Sequence, residues 1–248
     1  MRLKPPNRPE EITGTLVDDL QALLGPELLG VGLHGSAAGS RYRKGVSDIN
    51  LMLVVGEASG LRPSALIPFC RKWAPARVAT PLLLTPDYLA SSRDVFPVEL
   101  LALAHGLKML FGPNPLANLT VDPGHLRLQL ERELKGKLLA LRTRIMAGGG
   151  EAALVALTRE ALPAFGAIFA ALCQLLTGEY PQPAHSALER LAGRGVGVQA
   201  FRELDDLRQA ATQPPEGRLL PLWERALAEL AAICHDLDQP HASQGASA

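Results

Sequence analysis

Asp48 and Asn50 stand one residue apart at the head of an apolar run, in the order Ser47-Asp48-Ile49-Asn50 followed by LMLVV. Residues i and i+2 of a strand point to the same face. A carboxylate and a carboxamide are therefore offered side by side. Two carboxylates at this spacing hold a divalent cation, or a pair of cations clamping a triphosphate. The cation neutralises phosphate charge and aligns the attacking and leaving groups. Hard, oxygen-seeking Mg²⁺ suits such a site. Asn50 keeps a carbonyl oxygen but lacks the negative charge and cannot bridge two cations. One metal at Asp48 and Asn50 is chemically reasonable; a second needs an acid from elsewhere.

Upstream, Gly35-Ser36 follows another apolar run, LLGVGLH. Glycine lets the backbone approach a ligand closely and adopt dihedrals that other residues avoid. Backbone N–H groups at such a turn can cradle a phosphate, and Ser36 adds a hydroxyl. Arg41, Arg43 and Lys44 lie on the connection between the two runs. They either meet a triphosphate or form a solvated loop, which is the commoner fate of surface charge.

The whole stretch 33–55, LHGSAAGSRYRKGVSDINLMLVV, resembles the active-site signature of the DNA polymerase β-like nucleotidyltransferase superfamily. In that signature a Gly-Ser pair precedes two carboxylates one residue apart on a strand. The resemblance implies Gly35, Ser36, Arg41, Lys44 and Ser47 as nucleotide-binding residues, Asp48 and Asn50 as catalytic and metal-binding residues, ATP or another NTP as substrate, and Mg²⁺ as the ion. Asn50 departs from the pattern. The superfamily also supplies a third acid, often the general base, from a later strand. The strand expected at 78–84 reads VATPLLL and holds no acid. Glu99 is the substitute. If 95–101 were a strand beside the second one, Glu99 would face Asp48 and serve as a base. The alternative is a helix starting near Pro97 with Glu99 in its first turn, where acids are favoured.

Other motifs carry less. Residues 30–35 match GxGxxG formally, but the segment before them looks helical and the glycines fall inside a strand candidate, against the dinucleotide arrangement. No Gly-Lys-Ser/Thr ending supports a P-loop. His34 beside the Gly-Ser turn reads as a structural histidine. Lys135 and Lys137 read as a solvated helix face.

The 248 residues suffice for one large or two modest domains. Hydrophobic residues make up 47%, enough for a real core. Lys+Arg and Asp+Glu are both 25, so the net charge is zero. A dedicated nucleic-acid binder is usually basic, so a small-molecule or protein acceptor is favoured. Three scattered cysteines give no zinc pattern and suit a reducing, cytoplasmic setting. No signal peptide or membrane span is expected.

Along the chain, apolar periodicity predicts a helix over 11–24, stopped by Gly25-Pro26, then strands over 28–33 and 49–55. A helix over 63–73 and a strand over 78–84 follow. The segment LFGPNPLANL resembles the end of many nucleotidyltransferase domains. From His125 onward leucines step by three and four, Gly148-Gly149-Gly150 breaks the pattern, and Pro163 kinks or restarts the next helix. These readings give an α/β nucleotidyltransferase-type domain with a mixed sheet at 1–119, an all-α helical bundle at 120–238 and a disordered tail at 239–248. This plan resembles the aminoglycoside adenylyltransferases, and it implies transfer of a nucleotidyl group to a small-molecule hydroxyl in an interdomain cleft. The alternative is a catalytically degenerate protein that binds a nucleotide or a partner.

Overall fold

The structure is a computed structural model of the full chain, and it describes residues 3–56, 63–183, 186–210 and 214–239. The expected tail lies almost wholly outside the described residues. Two compact units are present. The first comprises Met1–Asp94 and Leu103–Thr120, the second Val95–Ala102 and Val121–Ala248.

The first unit opens with α1 (Glu10–Leu24), which has Glu10 and Glu11 in its first turn, where acids favour the helix dipole. Leu16 and Leu20, four apart on one helix face, are completely buried. A four-stranded mixed sheet follows, in the order β3-β2-β1-β4. Strand β1 (Leu28–His34) pairs antiparallel with β2 (Asn50–Val55) and with β4 (Lys108–Phe111). β3 (Leu82–Leu84) runs parallel to β2.

Alternation along β1 and β2 divides the sheet's faces. Val31, Leu33, Leu51, Leu53 and Val55 join Leu16, Leu20 and Trp73 in one buried cluster. The opposite face carries Gly30 and Gly32. A methyl at Gly32 would fall 2.6 Å from the Leu107 side chain, and one at Gly30 would fall 3.4 Å from Met109. Gly30 and Gly32 of the formal GxGxxG match therefore leave room for apolar side chains inside a strand, and Gly35 opens only the four-residue 3₁₀ turn Gly35–Ala38.

Two expectations need correction. The strand expected over 78–84 is cut short: Val78 makes only an isolated bridge to Ile49, and regular pairing resumes at Leu82. Thr80-Pro81 intervenes, and proline has no N–H for the ladder. The helix expected over 63–73 starts as a tight 3₁₀ turn at Pro63–Leu66 and becomes α2 only at Ile67–Trp73. The start of the segment LFGPNPLANL completes strand β4. Between them lies α3 (Pro86–Ser91), capped by Thr85, whose hydroxyl accepts from the Tyr88 N–H.

The second unit is helical. α4 (Pro97–Gly106) enters it with its first turn. α5 (Pro123–Met146) is capped by Asp122, whose Oδ1 accepts from the Gly124 and His125 N–H groups at 2.8 and 3.0 Å. Leu126, Leu130, Leu134, Leu138 and Leu141 are its buried stripe. α6 (Gly150–Ala161) and α7 (Phe165–Thr177) are separated by a 3₁₀ turn around Pro163, as the sequence predicts. The stretch Gly150–Thr177 is long and apolar enough by composition to cross a membrane, yet residues 168–173 are buried inside the unit. α8 (Ala187–Gly193), α9 (Gln199–Gln209) and α10 (Leu219–Asp238) complete it. Phe165, Phe169 and Phe201 form an aromatic cluster with ring centroids 5.0–5.6 Å apart. The Trp223 indole donates to Thr158 Oγ1 at 3.1 Å.

Candidate functional site

The β1–β2 register sets the site. His34 pairs with Asn50 across the two strands, so both stand on one face, and Asp48 lies two residues before Asn50. The chain leaves β1 through a tight turn at Gly35–Ala38. Gly35 has φ +70°, and a β-carbon there would sit 3.1 Å from the Asn50 amide nitrogen. Glycine is needed at 35 both for its dihedral and because the Asn50 side chain lies over the turn. Burial holds the His34 imidazole below its usual pKa of 6.5, and thus neutral at pH 7.

The connection from 39 to 48 closes on itself. Ser47 Oγ accepts from the Arg43 N–H at 3.0 Å, and the Ser47 N–H donates to the Arg43 carbonyl at 2.8 Å. Lys44 Nζ donates to Asn7 Oδ1 at 2.8 Å, and the Tyr42 hydroxyl donates to the Pro6 carbonyl at 3.2 Å. The Ser47 hydroxyl thus shapes the loop that carries Asp48. Arg41 and Arg43 are exposed, and neither forms an ion pair among the described residues.

Arg77 is the residue that sequence reasoning missed. Its Nη2 donates to Asp48 Oδ1 at 2.8 Å and to the Val46 carbonyl at 2.8 Å, and its Nε donates to the Ser47 carbonyl at 3.3 Å. Its own carbonyl accepts from the Ile49 N–H at 2.8 Å. Arg77 lies outside glycine in the left-handed region, at φ +62°, following the 3₁₀ turn Ala74–Ala76. Main chain and side chain together fasten it to the segment 46–49. The available signal was compositional: Arg77 is the single charged residue between Lys72 and Asp87.

Glu99 is found in the helical alternative, in the first turn of α4 and not on a strand. Its carboxylate accepts from Gln129 Nε2 at 2.6 Å, while Gln129 Oε1 accepts from the Val98 N–H at 2.8 Å. Gln129 is buried, so this amide satisfies a helix end and a carboxylate at once. Glu99 and Gln129 both belong to the second unit. Lys135 pairs with Glu131 at 2.6 Å and Asp238 at 3.3 Å, and Lys137 stands 5.8 Å above the Phe165 ring.

These residues do not fit a paired-carboxylate metal site. Asn50 is neutral, β3 contributes only leucines, and a guanidinium already sits on Asp48. Among the described residues no group of three or more His, Cys, Asp or Glu side chains is placed to hold an ion. The geometry offers a half-exposed ion pair, a carboxamide and an exposed glycine turn at one end of the sheet.

No protein-family model matches the sequence, and no curated protein matches it. Among solved structures, the chain is similar to the spectinomycin adenyltransferase AAD(9) from Enterococcus faecialis, determined with ATP and spectinomycin. The match has a TM-score of 0.52 at 12% identity, and covers 89% of this chain and 99% of that one. At such identity the likeness is one of fold: a nucleotidyltransferase-type α/β unit with a mixed sheet, followed by a helical region.

Proposed function

We propose that this chain is a nucleotide-binding protein built on the nucleotidyltransferase scaffold, with a transfer site that has lost its metal-holding acids. The Asp48–Arg77 ion pair beside Asn50 carries the reading. Transfer of a nucleotidyl group builds charge on the phosphoryl oxygens, and an enzyme of this kind offsets it with fixed positive charge or metal at that point. Here the one remaining acid is neutralised by a side chain. The Gly35-Ser36 turn and the basic residues Arg41, Arg43 and Lys44 are retained. The solved neighbour was determined with ATP, which supports a nucleotide as the ligand class.

A second reading is an active nucleotidyltransferase that modifies a hydroxyl of a small molecule. The exposure of the Asp48 side chain, 55%, favours it, since the carboxylate remains open to solvent. Asp48 and the Asn50 carbonyl would then hold Mg²⁺.

Calorimetry with ATP on wild type and Asp48→Ala, with and without Mg²⁺, separates the two. Under the proposal wild type binds ATP, and Asp48→Ala binds it at least as well, because a negative charge has been removed. Under the second reading Asp48→Ala loses Mg²⁺-dependent binding and every trace of transfer. Wild-type protein that ignores ATP at millimolar concentration would defeat both.

A further inference from the structure

We infer that Arg77 supplies, at Asp48, the positive charge that a paired-carboxylate site takes from a metal, so that this site accepts the polyphosphate of a nucleotide without a divalent cation. The inference rests on the nucleotide-binding reading above and concerns which charge makes that binding possible.

The argument begins with charge. Two carboxylates on one strand face repel a triphosphate unless a cation stands between them. At this site the acids reduce to Asp48, since Asn50 is neutral, and the guanidinium of Arg77 lies 2.8 Å from the Asp48 carboxylate. The pair sums to zero. Arg41, Arg43 and Lys44, all exposed, then leave the adjoining connection basic. A polyphosphate approaching the Gly35 turn meets no uncompensated negative charge from the Asp48–Asn50 motif.

The guanidinium is held where it stands. Nε and Nη2 donate to the Ser47 and Val46 carbonyls, and the Arg77 carbonyl accepts from the Ile49 N–H. Ala79 returns the pairing by donating to the Ile49 carbonyl at 3.0 Å. Arginine suits this post because its fork is planar, always charged and able to bond a carbonyl and an oxyanion together. A lysine carries the charge but cannot make the three separate contacts. The left-handed backbone at Arg77 costs conformational energy, and the surrounding bonds hold it in place. A strained residue fixed beside the motif's one acid is what a built-in cation requires.

The test is titration of the full-length chain with ATP in Mg²⁺ and again in EDTA, for wild type, Arg77→Gln and Arg77→Lys. Wild type is expected to bind with similar affinity in both buffers. Arg77→Gln is expected to lose about tenfold or more in EDTA, the scale of one charged hydrogen bond, and to regain much of it in Mg²⁺ because Asp48 is uncovered. Arg77→Lys should fall between the two. Rescue by the metal is a readout that a purely structural arginine would not give. Wild-type binding that requires Mg²⁺ overturns the inference and leaves the nucleotide reading standing. Unchanged EDTA affinity in Arg77→Gln overturns it as well. Absence of ATP binding in both buffers removes the nucleotide reading and the inference with it. Should Arg77→Gln fail to fold by circular dichroism, the wild-type comparison of the two buffers still decides.

Discussion

His34 closes β1 at the edge of the site, paired across the sheet with Asn50 and half-buried. Burial lowers its pKa below 6.5, because a charged imidazole loses its hydration there. His105 is shifted the same way for the same reason. In the window between the folded pKa and 6.5 the unfolded chain binds more protons than the folded one. Stability therefore rises with pH through that window, is complete above it and is lost as the pH falls. The carboxylates with lowered values, Glu10, Glu203 and Asp238, act only at lower pH, below their ordinary 4.5 and 3.8. Thermal unfolding between pH 7.5 and 5.5 should thus report the histidines. We expect Tm to drop across that range in wild type and to drop less in His34→Gln. Equal slopes in the two proteins would mean that His34 pays no desolvation cost on protonation.

At the scale of elements, two glycines make opposite predictions. Gly112 ends β4 at φ +74°, and a β-carbon there would fall 2.1 Å from the Leu29 carbonyl oxygen of β1. Neither the dihedral nor the backbone neighbour can yield cheaply. Gly112→Ala should cost at least about 2 kcal/mol from left-handed strain and displaced pairing, or a Tm lower by roughly 4–8 °C. Gly14 lies inside α1, and a β-carbon there meets nothing within 4 Å. Gly14→Ala should stabilise by up to about 1 kcal/mol through helix propensity. Thermal melts of both variants check the pair, and a Gly112→Ala protein as stable as wild type would contradict the β1–β4 geometry. The same elements indicate what the sequence makes legible. α1, β1, β2 and the helical stripes follow apolar periodicity, and Gly148 and Pro163 mark their breaks. β3 was overdrawn because Pro81 interrupts a run that otherwise looks continuous. Glu99 stood between strand and helix because both suit an apolar segment behind Pro97. Arg77 was invisible because its role comes from a left-handed turn and from pairing with a segment some thirty residues away.

At the scale of the whole molecule, the chain passes between its two units more than once. Residues 95–102 cluster with 121–248, while 103–120 return to the first unit and supply β4. Val98, Leu100 and Leu101 in that excursion are all buried. The Val98 N–H and the Glu99 carboxylate both depend on Gln129 of α5. A fragment ended at residue 120 would therefore keep every strand of the sheet yet carry an α4 first turn without its partners. Each buried aliphatic side chain laid open costs on the order of 1.5–3 kcal/mol, which a unit of this size tolerates poorly. We expect the 1–120 fragment to bind a hydrophobic dye and to aggregate on size exclusion, while the full chain does neither. Val98→Ser with Leu101→Ser should restore solubility to the fragment, since exposed apolar surface is the stated cause. A monodisperse, dye-silent 1–120 fragment would mean that 95–102 folds with the first unit and that Gln129 is dispensable to α4.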